Sequence, residues 1–157
     1  MKRAAEQDEI LQVLPMRPAD LDAVCSIAEA CFPVPWTRGT FLKEIGRKCA
    51  VTRVVKTGRA ARLCGFAAYW IVSNEIHLHN IAIRPDLRRH GYATVLLRDM
   101  LQVARKHSVR TVWLEVRSSN RAALSLYRGL GFEQAGIRPS YYADTQEDAV
   151  IMALRLP

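Results

Sequence analysis

Apolar positions along this chain switch between two periods, and the switches mark its elements. From Ile10 to Met16 apolar and other residues alternate, the pattern of a first strand. Past Pro18, with Asp20 and Asp22 suited to the positive end of a helix, Leu21, Val24, Cys25, Ala28 and Phe32 recur at helical spacing and predict about four turns. Phe32-Pro33-Val34-Pro35-Trp36 stops that helix, because proline lacks the N–H that a continuing turn needs. Thr37 is positioned to cap a second helix that turns Phe41, Leu42 and Ile45 to the core and ends near Gly46. Cys49–Lys56 and Arg62–Ser73 then read as antiparallel strands about a Thr57-Gly58-Arg59 turn, and Ser73-Asn74 leads into a third strand.

That third strand, over 75–83, opens the stretch on which the rest of the chain is organised. Strict alternation puts Ile76, Leu78 and Ala82 on one face and Ile81 and Ile83 on the other, with His77 and His79 as packing residues. Pro85-Asp86 ends the strand. Arg88, Arg89, His90 and Gly91 precede a helix with Ala93, Leu96, Leu97, Met100, Leu101 and Ala104 on one face. The first amides of a helix lack intrahelical partners and sit at the positive end of its dipole, so a basic glycine loop at that point suits a phosphate. The pattern is neither a P-loop nor a dinucleotide fingerprint, and a basic loop capping an ordinary surface helix would look the same.

Arg110–Arg117 is the next strand, with Val112, Leu114 and Val116 on one face and Trp113, Glu115 and Arg117 on the other. Ser118-Ser119-Asn120 supplies caps for a helix over Arg121–Leu130, whose Ala123, Leu124, Tyr127 and Leu130 share a face before a left-handed stop at Gly131. Phe132–Ser140 and Asp148–Leu156 read as two last strands about a polar hairpin. From the strand alone, Glu115 is most simply an ion-pair partner of Arg117 or another surface arginine. Tyr127 is a core tyrosine, and Asn120 an ordinary cap.

Composition narrows the class. The chain has 157 residues, half of them apolar, which predicts one domain over 10–157 behind a flexible tail over 1–9. The N-terminal residues carry both charges and lead into no apolar signal core. The longest uncharged apolar run, Leu63–Val72, is about half of the ~20 residues that span a bilayer, so no membrane association and a cytoplasmic location are expected. Cys25, Cys31, Cys49 and Cys64 lie in apolar surroundings without metal-ligand spacing and read as buried free thiols, with no metal site. The net charge is +8, but the arginines are scattered without interleaved aromatics. A polyanionic cofactor, an acidic partner or solubility accounts for such charge as well as a nucleic acid does, and no direct nucleic-acid contact is expected.

The run Leu114-Glu115-Val116-Arg117-Ser118-Ser119-Asn120, continued to Tyr127 and Gly131-Phe132 and preceded by Arg88-x-x-Gly91-x-Ala93, resembles the GNAT superfamily of acetyl-CoA-dependent N-acetyltransferases. The ending Arg138-Pro139-Ser140-Tyr141-Tyr142, with Glu147-Asp148-Ala149, is similar to that of its RimI branch, the ribosomal-protein-alanine N-acetyltransferases. The resemblance spans about Leu11 to Leu156. It implies an α/β (α+β) fold, a mixed twisted seven-stranded sheet splayed near its middle and flanked by about four helices. Acetyl-CoA, the implied co-substrate, would lie in the splay. Its pyrophosphate would rest on Arg88, Arg89, His90, Gly91, Tyr92, Ala93 and Thr94, its pantetheine would pair with the backbone of Ile81, Ala82 and Ile83, and Asn120 would hydrogen-bond to it. By the same resemblance Glu115 is the general base and Tyr127 the general acid.

Elementary chemistry suits those roles. An α-amino group titrates near ~8, against ~10.4 for lysine, so a modest base suffices to free the amine of a protein N-terminus. The departing thiolate, akin to a cysteine with a pKa of ~8.5, needs a proton that a phenol can supply. The branch has Phe-Pro-Trp after its first helix, whereas this chain has Phe32-Pro33-Val34-Pro35-Trp36, a longer loop expected on the acceptor side together with Tyr141 or Tyr142. The expected partner is a protein or peptide N-terminus, with a ribosomal protein foremost. A small-molecule amine or a protein lysine is the alternative acceptor, and a non-catalytic acyl-CoA-binding regulatory domain is the alternative of another class. Oligomeric state is not legible.

Overall fold

A computed structural model describes residues 10–157, so the tail expected over 1–9 lies outside the described residues. In chain order the elements are β1 (Leu11–Pro15), α1 (Leu21–Cys31), α2 (Arg38–Gly46), β2 (Ala50–Thr57), β3 (Arg62–Val72), β4 (Glu75–Ile83), α3 (Tyr92–Lys106), β5 (Thr111–Arg117), α4 (Arg121–Gly129), β6 (Glu133–Tyr142) and β7 (Glu147–Arg155), with single 3-10 turns at Pro18–Asp20 and Pro85–Leu87. The seven strands form one sheet in the order β1-β2-β3-β4-β5-β7-β6, and β4 and β5 are its parallel pair.

Helices α2 and α4 start at side-chain caps. Thr37 Oγ1 accepts the Thr40 amide at 3.2 Å, and Asn120 Oδ1 accepts the Ala123 amide at 3.1 Å. Helices α1 and α2 cover one face of the sheet, where Leu21, Val24, Ile27 and Phe41 pack on Val54 and Phe66. Helices α3 and α4 cover the other, where Leu97, Met100, Leu124 and Tyr127 meet Ile76, Leu78, Val112 and Leu114. Leu96, Leu97 and Met100 are each about 1% exposed, and burial of such a side chain contributes roughly 1.5–3 kcal/mol.

Several local expectations change. Pro18–Asp20 forms a 3-10 turn, so α1 begins at Leu21 and ends at Cys31, leaving Phe32 outside it. Leu42 is exposed and Glu44 is buried in its place, because the Glu44 carboxylate accepts the Trp70 indole N–H at 2.7 Å and the Arg47 Nε at 3.2 Å. All four cysteines are free, but only Cys64 is buried. Strand β6 runs on to Tyr142, so both tyrosines stand on a strand.

The alternation expected along β4 fails at one residue. Ala68 pairs with Asn80 but its neighbour Tyr69 pairs with Leu78, which leaves His79 as an extra residue in a β-bulge. The bulge flips the faces beyond it, so that Ile81 and Ile83 join Ile76 and Leu78 on the α3 side, while Ala82 packs with Phe66 on the α1 side.

The splay follows at once. β4 and β5 pair from Glu75–Thr111 to Leu78–Leu114 and no further, although β5 stays paired with β7 as far as Arg117. On the far side of β4, Gly65 holds β3 close: a Cβ there would lie 2.4 Å from Ile83 Cδ1 and 2.5 Å from the Ala82 carbonyl oxygen. The backbone of Ile81–Ile83 is therefore clamped on one edge and lacks a β5 partner on the other. Among the described residues no helix is long and apolar enough to cross a membrane.

Candidate active site

The loop before α3 is built to leave the helix N-terminus open. Arg89 and Gly91 take positive φ values of 66° and 80°, and Gly91 serves as N-cap without a side-chain bond to the helix. The first intrahelical bond runs from the Val95 amide to the Gly91 carbonyl at 3.1 Å. A cleft of about 350 Å³ opens there, lined by Ile83, Leu87, Arg88, Arg89, the run from Gly91 to Thr94, and Ala122 and Leu126 of α4. His90 stacks on Tyr92 with ring centroids 5.8 Å apart, and its Nδ1 lies 2.9 Å from the Arg88 carbonyl, which stiffens the turn. The one acidic residue of the loop is turned aside: Asp86 is bonded by Arg84 at 2.8 and 3.0 Å and by Arg62 at 3.3 Å. The Arg84 bond holds the Asp86 carboxyl below its ordinary range. The positive end of α3 and the Arg88-Arg89 pair thus act in the same direction, towards an anion.

Asn120, the residue expected to contact the same ligand, uses its carbonyl oxygen as the α4 cap, and its amide NH₂ is the group with donors to offer. Helix α4 adds Ala122 and Leu126 to the cleft, which the sequence does not announce, and an adjoining depression of about 450 Å³ carries Arg98 and Ser125. Small and apolar residues on a helix carry no signal of their own until the helix is placed.

On the other side of the split sheet stands Glu115. It is the first residue of β5 beyond the last pair with β4. Its partner is neither Arg117 nor a buried cation: the Arg138 guanidinium lies at 3.5 Å, and the Tyr141 hydroxyl donates a hydrogen bond that raises the tyrosine's pKa. Arg117 is engaged elsewhere. Its guanidinium grips Asp144 at 2.9 and 3.1 Å, reaches Glu147 at 3.6 Å, and lies 4.0 Å from the Tyr142 ring centroid. Glu147 in turn accepts the Ser119 amide at 2.7 Å and the Ser118 hydroxyl at 3.2 Å, bonds that hold its carboxyl below its ordinary range. The hairpin joining β6 to β7 is thereby tied to the end of β5, with Tyr141 at the Glu115 carboxylate and Tyr142 beneath Arg117.

Tyr127 faces the core from α4, 6% exposed, with its ring edge-on to Phe132 at 5.7 Å. Burial pushes its phenol up to about 12, so it holds its proton throughout the physiological range. Phe32 is half-buried beside α1, and Trp36 packs on Phe41 at 5.4 Å, which leaves Val34, 79% exposed, at the tip of the long loop. His77 and His79 are more accessible than packing residues would be. His77 bonds Glu75 at 2.9 Å, and exposed His79 stands edge-on to Trp70 at 4.6 Å.

Residues 21–132 match the acetyltransferase (GNAT) family. The chain belongs to it. The [ribosomal protein bS18]-alanine N-acetyltransferase of Escherichia coli (strain K12) is 40% identical over 137 residues, covering 86% of this chain and 90% of that protein. The protein of that name from Haemophilus ducreyi is 35% identical over 140 residues, covering 87% and 94%. The crystal structure of the Escherichia coli ribosomal-protein-S18-alanine N-acetyltransferase superposes with a TM-score of 0.83 at 35% identity over 93% of this chain and 94% of that one. Ard1 from Thermoplasma volcanium superposes at 0.85 with 23% identity, a likeness of fold. Within the GNAT family this acetyltransferase is RimI-like. The splayed seven-stranded sheet with four helices is the GNAT architecture the sequence predicts.

Proposed function

We propose that this acetyltransferase moves the acetyl group of acetyl-CoA to the N-terminal α-amino group of a protein, the acceptor being a ribosomal protein with an N-terminal alanine of the bS18 kind. The observation that carries this reading is the parting of β4 and β5 immediately after Leu78 and Leu114. It opens a slot with a basic helix N-terminus on one side and a carboxylate on the other. The names of the 40%- and 35%-identical relatives support the acceptor.

The residues present fit acetyl-CoA. Gly91, at φ 80° with nothing within 4 Å of a notional Cβ, lets backbone approach a pyrophosphate, and Arg88 and Arg89 line the same cleft. The amides and carbonyls of Ile81–Ile83, without a β5 partner, offer a strand edge to the two amides of pantetheine. Asn120 has its NH₂ donors for the same ligand.

In the reaction the amine nitrogen forms a bond to the acetyl carbon as the carbon–sulfur bond breaks. Glu115 takes the proton that the amine must lose, and Tyr127 gives its hydroxyl proton to the departing sulfur. A phenol near 12 is a weak donor to a thiolate. The burial that raises it also penalises a bare thiolate at that site, so the transfer is less uphill than solution values suggest. Tyr141 and Arg138 hold the Glu115 carboxylate in place, while Tyr142, Phe32 and Trp36 border the acceptor side.

The test is incubation of the protein with acetyl-CoA and a peptide bearing the bS18 N-terminal sequence, followed by mass-spectrometric localisation. Acetyl on the α-nitrogen, abolished when that nitrogen is blocked, is the expected result. Acetyl on a lysine ε-nitrogen or a small amine would replace the acceptor. Retained coenzyme A without any acetylated product would make the domain a binding module.

A further inference from the structure

The sheet face turned away from α3 and α4 is covered over only part of its width. Helices α1 and α2 close it above Val54, Phe66 and Ala82, and that buried cluster takes no residue from β5, β6 or β7. Val112, Leu114 and Met152 point to α3 and α4, so alternation turns Trp113, Glu115, Ile151 and Ala153 the other way. Trp113, Ile151 and Ala153 stay partly exposed and, among the described residues, join none of the buried clusters. An indole and an isoleucine left to water side by side on inner strands mark a surface that something else covers.

Strand register gathers aromatic side chains on this open half. Trp70 pairs with His77 across β3 and β4, His77 with Trp113 across β4 and β5, and Trp113 with Ala153 across β5 and β7. Directly paired residues share a face, so the four make one row. The row is held rigid. The Glu44 carboxylate accepts the Trp70 indole N–H at 2.7 Å, the Arg47 guanidinium lies 4.9 Å from the Trp70 ring centroid, and Glu75 lies 2.9 Å from the His77 Nε2. This brace explains why a carboxylate from α2 is buried in the fold. Trp70 thus forms a wall against α2, while His77 and Trp113 form a floor. The next row towards the split is Glu115 with its partner Ile151, two residues further along β5 or roughly 7 Å away. The aromatic floor is therefore continuous with the carboxylate that the acceptor amine reaches.

An extended peptide advances about 3.3–3.6 Å per residue, so one whose α-nitrogen stands at Glu115 can lay its third residue over this row. The charges that flank the row are already paired, Arg47 with Glu44 and Glu75 with His77, and its exposed surface is aromatic ring. Rings stack on such a surface with little loss of freedom. Resting on the acetyl-transfer reading above, we infer that the Trp70–His77–Trp113 row is the subsite for the third residue of the acceptor and selects an aromatic side chain there.

The experiment measures acetylation of peptides that begin with alanine and carry Phe, Gly or Asp as third residue, or Phe only as sixth, by wild type, Trp113→Val and His77→Ala. In wild type, Phe at the third residue lowers peptide KM about fivefold relative to Gly with kcat within about twofold, Asp is no better than Gly, and Phe at the sixth gives no gain. Either substitution brings the Phe and Gly peptides within about twofold of each other, and the KM for acetyl-CoA does not separate them. Where a variant fails to fold by circular dichroism, NMR of wild type decides: an acetylated product peptide with a nitroxide at its third residue broadens the Trp113 indole N–H signal more than one labelled at its sixth. Equal KM for the Phe and Gly peptides in wild type, a preference that survives in the folded variants, or equal broadening from the two labels would overturn the inference. So would a dimer that dissociates on Trp113→Val, which would give the face to a second copy of the chain. A wild-type protein that acetylates no α-amine would overturn instead the reading on which the inference rests.

Discussion

Truncation of Arg117 to alanine tests whether the hairpin beside Glu115 is held by the clamp described above. The guanidinium makes a two-pronged bond to Asp144 at 2.9 and 3.1 Å, a bond to Thr145 Oγ1 at 3.2 Å, and a contact with Glu147 at 3.6 Å. The side chains of Arg117, Asp144 and Glu147 are 26%, 21% and 18% exposed, so water screens them only in part. Hydrogen bonds to charged groups contribute roughly 1.5–3 kcal/mol, and the cation over the Tyr142 ring about another 0.5–2 kcal/mol. These terms share one side chain and do not add fully, which puts the loss at about 3 kcal/mol. For a chain of this length that lowers Tm by roughly 6–12 °C. With Tyr142 released and Asp144 unpaired, Tyr141 loses its seat at Glu115. The peptide KM should then rise about tenfold while the KM for acetyl-CoA, whose proposed cleft lies before α3 and away from this hairpin, stays within about twofold. Arg117→Lys keeps the charge without the planar fork and should fall between the two. Thermal unfolding by circular dichroism and steady-state kinetics with each substrate varied give both readouts. An alanine variant that melts with wild type and keeps its peptide KM would refute the clamp.

The remaining predictions follow from single geometries. Gly65→Ala forces a Cβ against the Ala82 carbonyl, a backbone atom that cannot turn aside, so acetyl-CoA affinity by calorimetry should fall about tenfold or more while the fold survives. Tyr69 carries a buried hydroxyl without a hydrogen-bond partner, and burial raises its pKa. Tyr69→Phe should therefore leave stability unchanged or raise it by up to about 1 kcal/mol, read as an unchanged or higher Tm, and a marked drop would mean the hydroxyl is satisfied in solution. The depressed Glu147 carboxyl gives stability that is present above its ordinary value of 4.5 and is lost as pH falls through the lower folded value. The Tm gap between wild type and Glu147→Gln should thus be widest near neutral pH and close as the carboxyl is protonated in acid, and a gap independent of pH would count against the Ser118-Ser119 anchor. Glu115→Gln and Tyr127→Phe should each lower kcat by about a hundredfold with binding of coenzyme A retained, and turnover equal to wild type would remove the residue from the reaction.

Local rules alone determined much of this protein. The Thr37 and Asn120 caps act where the sequence predicts them, Gly131 takes its left-handed turn at φ 97°, and the basic loop before α3 opens on a cleft. Caps, turns and helix periods are interactions among residues a few positions apart, so the amino-acid order carries them. Tertiary structure decided the rest. Nothing near His79 in the chain announces a bulge, since the extra residue exists only relative to the register of β3 against β4. Glu115 has Arg117 two residues away, yet it meets Arg138 and Tyr141 because β7 lies between β5 and β6 and brings the far hairpin over the split. Arg117 turns to Asp144 and Glu147 for the same reason. Glu44 is buried and its neighbour Leu42 exposed because an indole N–H waits on β3, a partner that helical periodicity cannot foresee. Which charges meet, and which strand edge is left open, depends on how distant segments are stacked, and that is settled only by burial of the whole core.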